Sequence, residues 1–251
     1  MVIRAGFPDY RACSGEARPV GYPWENRGMT PVFPELQAVF DRERKDARVA
    51  RSPDAASARA STVRMYGRLA ELQAGVVARK GIGVACVRGC NYCCHLRVEI
   101  RPHEAFVLAR HMQEKFDPAR RERALGRIAG NLERIAPLAP DQHVRAGIPC
   151  ALLEDGVCSV YEARPAACRK YYSVSVSTCR DAFGDTSAPL TGELEDEDLR
   201  LAGNAVALGY AKGLEDAGYD IELRELHYAL RKALTEPKAE ARYRRGKRPF
   251  V

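Results

Sequence analysis

The segment from Cys86 to His95 constrains the fold more than any other part of the sequence, because it places four thiols within nine residues. Glycines at positions 81, 83 and 89 interrupt this stretch, and its apolar residues follow neither a helical nor a strand period. We therefore predict a loop here, rather than a core helix or strand. A loop that gathers several thiolates at one point is what a soft metal ion or an iron–sulfur cluster requires.

Four further cysteines follow between positions 150 and 179, separated in turn by seven, nine and ten residues. These spacings lack the second Cys-x2-Cys pair of many structural zinc sites, whereas the compact Cys86-x3-Cys90-x2-Cys93 loop is closer to the ligation of a [4Fe–4S]-type cluster. Zinc and an iron–sulfur cluster both accept sulfur-only ligation, in one four-ligand site with spare thiols or in two such sites. Cys13 stands apart and is predicted to be no ligand. The predicted metal ligands are Cys86, Cys90, Cys93, Cys94, Cys150, Cys158, Cys168 and Cys179.

The composition is that of an ordinary soluble globular protein, with 46% hydrophobic and 29% charged residues in a chain of 251. No apolar run reaches the length of a membrane span, and the first residues lack the apolar stretch of a secretory signal. We therefore expect a cytoplasmic protein, in which thiols stay reduced and serve as metal ligands rather than in disulfides. The net charge of +7 is spread along the chain among acidic residues, which does not favour a nucleic-acid partner.

Apolar periodicity and proline positions predict a mainly α fold with a small β-hairpin, a helical scaffold around a cysteine-rich metal-binding core. Alternation over 96–100 predicts a strand, and Asp155-Gly156 predicts the turn of the hairpin. The predicted helices cover about 34–51, 61–79, 102–116, 117–135, 199–216 and 221–234. We divide the chain into an irregular arm plus N-terminal helix (1–60), a cysteine-cluster metal-binding domain (61–190) and a helical C-terminal extension with a basic, frayed tail (191–251).

Several motifs combine into one signature, which runs over about residues 80–180. They are Cys86-x3-Cys90-x2-Cys93-Cys94, Glu104, Pro149-Cys150-x2-Leu153, Gly156-Val157-Cys158-Ser159-Val160-Tyr161, Arg164-Pro165-x2-Cys168-Arg169 and Cys179. The signature resembles the YkgJ-type cysteine-cluster family, a zinc- or iron-chelating CxxCxxCC domain. The resemblance implies a domain whose eight cysteines bind zinc or an iron–sulfur centre, without implying one reaction. Bacterial flagellin lysine methylases carry a related cysteine-cluster domain, so methyl transfer is one activity that the resemblance suggests.

Two arginines of the signature are predicted to contact the cofactor. Arg164 would fix the turn before Cys168 by bonding a carboxylate or a carbonyl, and Arg169 would offset the negative charge of a thiolate-ligated centre. A structural salt bridge is the alternative role for both arginines. His95 and His103 flank the first cysteine group, but the surplus of thiols means that neither is a predicted ligand.

The loop spacing, with Tyr92 just before the third cysteine, also resembles the cluster loop of radical S-adenosylmethionine enzymes. Those enzymes follow the loop with repeated strand–helix units, which this sequence does not show. Three classes of function stay open: a metal or cluster protein in redox chemistry, sensing or metal handling, an enzyme (a methyltransferase or oxidoreductase using the cluster), or a structural zinc module for a protein partner. An enzyme should have a polar-lined pocket beside the cysteines, an electron carrier a cluster near the surface, and a structural module neither.

Overall fold

The computed structural model describes residues 34–49, 55–86, 88–184 and 195–250, so Cys13 and the predicted N-terminal arm lie outside the described residues. Over the described residues the protein is mostly helical, with 67% helix, ten helices and two small antiparallel sheets of two strands each, which confirms the predicted class. The helices are α1 (Pro34–Val49), α2 (Ala55–Lys80), α3 (Pro102–Lys115), α4 (Pro118–Ile135), α5 (Pro140–Arg145), α6 (Ala166–Lys170), α7 (Val176–Gly184), α8 (Glu197–Asp216), α9 (Leu226–Thr235) and α10 (Ala239–Arg244).

Prolines and short polar side chains set the start of the central helices, as the sequence predicts. Pro102 and Pro118 occupy the first positions of α3 and α4, where a missing backbone N–H costs nothing. The Asp117 carboxylate accepts a hydrogen bond from the Arg120 backbone N–H at 2.8 Å and so caps α4. The second helix begins at Ala55 rather than near residue 61, because the alanine-rich stretch before Ser61 contains no helix breaker.

The predicted helix over 221–234 begins later, at Leu226, because the two preceding residues form a strand. This strand, β4 (Arg224–Glu225), pairs antiparallel with β1 (Glu99–Ile100), and the register places Glu99 opposite Glu225. Ile100 is fully buried in this pair. Long-range pairing has therefore outweighed the local preference for a helix at Arg224–Glu225. The strand predicted over 96–100 is shorter than expected, because only Glu99 and Ile100 are paired.

The predicted hairpin is present at the second cysteine group. Its strands are β2 (Leu153–Glu154) and β3 (Val157–Cys158), paired antiparallel. Asp155 and Gly156 join them with φ values of 48° and 76°. Two successive residues with positive φ are what a tight hairpin turn requires, and Asp-Gly supplies them at low steric cost.

The basic tail is folded, so the prediction that it is frayed is wrong. Helix α10 is followed by a turn in which Arg242 Nε donates to the Pro249 carbonyl oxygen at 3.1 Å. Phe250 is buried with its ring centre 5.7 Å from that of Phe106 in α3. Apolar burial of these aromatic rings outweighs the mutual repulsion of the basic side chains. Helices α5 and α7 lie outside the ranges that were predicted to be helical.

The core is built around α8, which lies along α1 and α2, while α9 packs on α3 and α4. Gly209 and Gly213 allow the close approach of α8 to α1, since a Cβ at Gly213 would lie 2.2 Å from the Arg44 carbonyl oxygen. Apolar residues from both sides of the predicted boundary at 190 pack in one cluster, and the division into three parts stays a prediction. Among the described helices none is long and apolar enough to cross a membrane.

Candidate metal centre

The first cysteine loop follows α2 and is held against the hairpin by hydrogen bonds. Gly81, with a φ of 63°, ends α2, and a short 3-10 turn spans Tyr92–His95. The Cys150 backbone N–H donates to the Cys94 carbonyl oxygen at 2.7 Å, and the Asn91 side-chain amide donates to the Gly156 carbonyl oxygen at 3.1 Å. The two cysteine regions, far apart in the sequence, therefore meet in the fold.

Four thiols from the two regions form the first group, which we call the quartet: Cys93, Cys150, Cys158 and Cys168. Each of the four interacts electrostatically with the other three. Cys93 comes from the 3-10 turn, Cys150 from the segment just before β2, Cys158 from β3 and Cys168 from α6. The quartet thus collects thiols from several short segments that are far apart in the sequence.

Three other thiols form the second group, which we call the trio: Cys86, Cys90 and Cys179. Cys86 interacts with both Cys90 and Cys179, and Cys179 with Cys90. Cys93 interacts with Cys86 and Cys179 and so lies between the two groups, while its thiol is hydrogen-bonded to that of Cys94. All eight predicted ligands therefore lie in one cysteine-rich region, and all eight are free thiols.

Backbone N–H groups point at the sulfurs in both groups. Cys150 accepts a hydrogen bond from the Leu152 backbone and Cys158 from the Val160 backbone, two residues further along the chain in each case. The Ser173 backbone N–H donates to Cys86 Sγ at 3.1 Å. Such bonds stabilise a sulfur in its negatively charged form, and they are common around metal-bound cysteines.

As they stand, the thiols are not yet gathered around one point. Within the described ranges, no three Cys, His, Asp or Glu side chains are arranged to hold a metal ion. The thiols bond to protein groups instead, Cys93 to Cys94 and Cys86 Sγ to the Tyr171 carbonyl oxygen at 3.8 Å. A metal ion would therefore have to draw these side chains away from their present partners.

Residues 85–188 match a family model described as "CxxCxxCC: Putative zinc- or iron-chelating domain". This segment, 104 of the 251 residues, is similar to that domain. The match confirms the resemblance drawn from the cysteine spacing, and it supports metal binding without separating zinc from iron. The chain matches no curated protein and no solved structure.

Six of the eight thiols in this region are held in their neutral form by their surroundings. Burial raises the pKa of the Cys86 thiol and that of the Cys150 thiol to about 11. Burial also raises the pKa of Cys168 and that of Cys179, while for Cys93 the hydrogen bond to Cys94 raises the pKa before burial adds to it. A metal ion must therefore displace protons from these thiols, which makes its affinity depend on pH.

Arg164 lies beside three thiols of the quartet. Its guanidinium interacts with Cys93, Cys158 and Cys168, where its charge favours the thiolate forms. The group also stacks on the Tyr161 ring, with 3.8 Å between the guanidinium carbon and the ring centre. Its Nε is buried and has no hydrogen-bond partner among the described residues. An unpartnered cationic N–H beside three thiols fits an anionic metal–thiolate centre, which would satisfy it.

Arg169, the second predicted cofactor contact, lies mainly against protein groups. Its Nε donates to the Arg164 carbonyl oxygen at 2.6 Å, and its Nη2 donates to the Glu162 carbonyl oxygen. The guanidinium lies over the Tyr66 ring, 4.5 Å from its centre, and also interacts with Cys168. The bonds to two carbonyl oxygens fix the turn that carries Cys168, and a direct role of Arg169 toward a cofactor stays a prediction.

Glu104 connects α3 to the start of α6, the helix that carries Cys168. Its buried carboxylate accepts hydrogen bonds from the Ala166 backbone N–H at 2.7 Å, the Arg101 backbone N–H at 3.0 Å and the Tyr66 hydroxyl at 3.3 Å. The bond to Ala166 ties the start of α6 to the scaffold. Of the two flanking histidines, His103 is buried against Tyr210, with 5.5 Å between ring centres. His95 Nδ1 lies 3.2 Å from the Asn91 carbonyl oxygen.

Three residues that the sequence did not single out, His227, Glu225 and Asn131, also position the backbone beside Cys150. His227 in α9 accepts a hydrogen bond from the Ala151 backbone N–H at 3.0 Å through Nε2, while its Nδ1 lies 2.6 Å from a Glu225 carboxylate oxygen. Asn131 in α4 donates to the Pro149 carbonyl oxygen at 2.8 Å. Together they fix the backbone on both sides of Cys150. His227 lies outside residues 85–188, so no motif within that segment could have indicated it.

Two clefts open beside the quartet. The first, of about 280 Å³, has Cys93 and Cys168 in its walls, and the second, of about 370 Å³, has Cys150 beside Arg127 and Arg134. The other residues that line the first cleft are Leu96, Arg97, Val98, Glu99, Val144, Ala167 and Tyr171. Arg97 donates to Glu99 at 2.8 Å and lies 3.3 Å from His143 Nδ1, so the first cleft has apolar walls with one charged edge.

Proposed function

We propose that this protein holds an iron–sulfur centre of the [4Fe–4S] type through the quartet, and that it acts in redox chemistry, sensing or metal handling. The observation that carries the proposal is the quartet itself: four thiols from separate elements, each interacting with the other three. When bound, such a centre supplies one-electron redox chemistry. The protein's part is to bind it through thiolates, to donate backbone N–H groups to the sulfurs and to offset its negative charge with Arg164.

Zinc is the competing occupant, because sulfur-only ligation suits both. Anaerobic purification followed by a visible absorption spectrum and assays of iron, acid-labile sulfide and zinc decides between them. We expect a brown protein that contains iron and sulfide. A colourless protein carrying zinc would overturn the iron–sulfur assignment and the redox roles, and a protein without any metal would overturn metal binding itself.

The cleft beside Cys93 and Cys168 is the observation behind a second candidate function, a cluster-dependent enzyme of the methyltransferase or oxidoreductase class, although its walls are mainly apolar and only its edge is polar. Its volume of about 280 Å³ suits part of a small ligand, and its walls include two quartet members. The charged edge formed by Arg97 and Glu99 can orient a polar end of such a ligand. A ligand in this cleft would contact the centre held by the quartet, as an enzyme requires.

Binding of S-adenosylmethionine to the metal-loaded protein tests the methyltransferase class. We expect Val144→Trp, which fills the cleft, to weaken this binding at least tenfold at unchanged metal content. Val63→Trp, at an exposed position on α2, is the matched control and should leave binding unchanged. A wild-type protein that does not bind S-adenosylmethionine would remove the methyltransferase class.

The remaining alternative, a structural zinc module for a protein partner, needs no cleft beside its cysteines. The structural module would be favoured if the protein contains zinc and if Val144→Trp changes none of its measured properties. We also propose a cytoplasmic location, since all eight described cysteines are free thiols and a reducing compartment keeps them so.

A further inference from the structure

We propose that a small cavity between α2, α3, α8 and α10 binds one water molecule, which bridges His103 and Tyr243 and so ties the C-terminal helix α10 to the helical scaffold. The cavity has a volume of about 20 Å³, and its walls come from these four helices and the turn after α8. The residues that line it include no cysteine, so the inference does not depend on whether the protein binds a metal.

Two polar atoms in the walls of this cavity lack a protein partner. His103 Nδ1 and the Tyr243 hydroxyl are buried, and neither has a hydrogen-bond partner among the described residues. The His103 ring packs on Tyr210, with 5.5 Å between ring centres, and the Tyr243 ring packs on Phe106 and Tyr219 at 5.5 and 5.0 Å. This packing keeps both polar atoms in the interior, where an unpaired polar group is costly and rare.

The size and the chemistry of the cavity fit a water molecule. A water needs about 10 to 15 Å³ of such space and about two to four polar partners, and cavities that stay dry are apolar. The Thr62 hydroxyl also lines the cavity and makes only a long contact, of 3.4 Å, with the Tyr210 hydroxyl, so it is a third partner. Burial lowers the pKa of His103 to about 4, so the ring is neutral near pH 7. Water both donates and accepts, and it can therefore bond Nδ1 in either tautomer.

The charged residues in the walls leave one competing occupant. Arg59 Nη1 donates to a Glu240 carboxylate oxygen at 2.6 Å, so these two charges offset each other. Arg244 also lines the cavity, and its charge makes a chloride ion the competitor. Water is favoured, because an ion would give up its hydration shell for only a few protein contacts.

Tyr243→Phe removes only the hydroxyl and tests the proposal by the sign of its effect. If a water bridges this hydroxyl to His103, the equilibrium constant for unfolding should rise about tenfold. If the hydroxyl has no partner, its removal should leave that constant unchanged or lower it, and either result would overturn the proposal. Tyr228→Phe, on a half-buried ring that contacts Phe250 and does not line the cavity, is the matched control and should change little. Urea unfolding of the full-length variants at equal metal content is the measurement.

Oxygen-17 relaxation dispersion, which counts long-lived buried waters, tests the occupant directly. Ala58→Val adds methyl groups in the wall of the cavity, and we expect this variant to hold one such water fewer than the wild type. Ala60→Val, at an exposed position on the same helix, is the control and should keep the wild-type number. An equal number in Ala58→Val and the wild type would contradict the proposal. So would a stability of the wild type, but not of Ala58→Val, that falls when gluconate replaces chloride at constant ionic strength, since that result assigns the cavity to an ion.

Discussion

The contact between α1 and α8 and the cysteine region are held together in different ways. Along α1 and α8, two long helices pack with almost no space, as Gly209 and Gly213 show, and Arg44 and Arg48 pair with Asp216 at the end of the contact. The cysteine region consists of short elements joined by single hydrogen bonds, with free thiols between them. The helical contact needs no metal, whereas we expect a bound metal to contribute much of the stability of the cysteine region.

The largest expected effect is that of Cys168→Ser, which removes a thiol from the quartet. We expect loss of the quartet's metal and a destabilisation of the cysteine region on the order of 10 kcal/mol, because the binding energy of a structural metal site is also folding energy. Metal analysis and chemical unfolding measure both. Cys13→Ser, at a position outside the described residues, should change neither, and an effect there would contradict its assignment as a non-ligand.

Gly213→Ala tests the helical side of the comparison. The added Cβ would lie 2.2 Å from the Arg44 carbonyl oxygen and 2.7 Å from Ala47 Cβ, so the helices must move apart. We expect a loss of about 3 kcal/mol in the free energy of unfolding, with metal content unchanged. Gly130→Ala in α4, where no atom lies within 4 Å of the new Cβ, is the control and should stabilise by up to about 1 kcal/mol. Metal loss in Gly213→Ala would show that the two regions are coupled.

High pH should weaken the metal-free protein. Burial raises the pKa of the Cys150 thiol from 9.0 to about 11, so folding favours its neutral form. The stabilisation is fully present below pH 9.0 and is lost as the pH rises through about 11, where the folded protein must ionise a buried thiol. We expect a loss of about 3 kcal/mol from this residue. The measurement compares the pH dependence of the free energy of unfolding of the chelator-treated wild type with that of chelator-treated Cys150→Ser. The tyrosines contribute equally to both proteins, so the difference between the two is the contribution of Cys150.

Raising the pH should favour the metal-loaded protein, although it weakens the metal-free one. Protons compete with the metal for the thiolates, so lowering the pH should release the metal and raising it should tighten binding. Metal retention after equilibration with a chelator at several pH values measures this. Retention that does not vary with pH would contradict thiolate ligation.

Much of the scaffold and the set of clustered cysteines were predictable, because local signals specify them. Pro102, Pro118 and Asp117 act on their own helix starts, and Asp155-Gly156 acts on its own turn. The strand at Arg224–Glu225 was not predictable, because its reason is a pairing with Glu99–Ile100 far away in the sequence. The same holds for the folded tail, which depends on burial of Phe250 against Phe106.

Within the site, the sequence could not divide the thiols or reveal what holds them. Spacing places Cys86, Cys90 and Cys93 in one compact loop, but the fold brings Cys179 to the first two and the hairpin to the third. Ser173 looks like any serine in a polar stretch, and only its burial between Cys86 and Cys179 shows its role. Contacts between distant segments determine both features, and a single sequence carries no local record of them.

The smallest expected effect comes from His227, which connects the scaffold to the quartet. Its Nε2 accepts the Ala151 backbone N–H at 3.0 Å, next to Cys150. His227→Phe removes this acceptor and leaves a buried N–H unpaired, so we expect a loss of about 2 kcal/mol in stability. Because the backbone at Cys150 then loosens, transfer of the quartet's metal to a chelator should also become faster. Chemical unfolding and the rate of metal transfer are the measurements.

His227→Gln separates the hydrogen bond from the packing of the ring. The glutamine side-chain oxygen can accept a hydrogen bond from the Ala151 N–H. His227→Gln should therefore recover about half of the stability that His227→Phe loses, and it should release metal almost as slowly as the wild type. If His227→Gln released metal as fast as His227→Phe, the ring's packing rather than its acceptor would position Cys150. If both variants held their metal as the wild type does, α9 would stabilise the fold without reaching the thiols. The helical scaffold would then influence the cysteine region less than the hydrogen bond from the Ala151 N–H to His227 indicates.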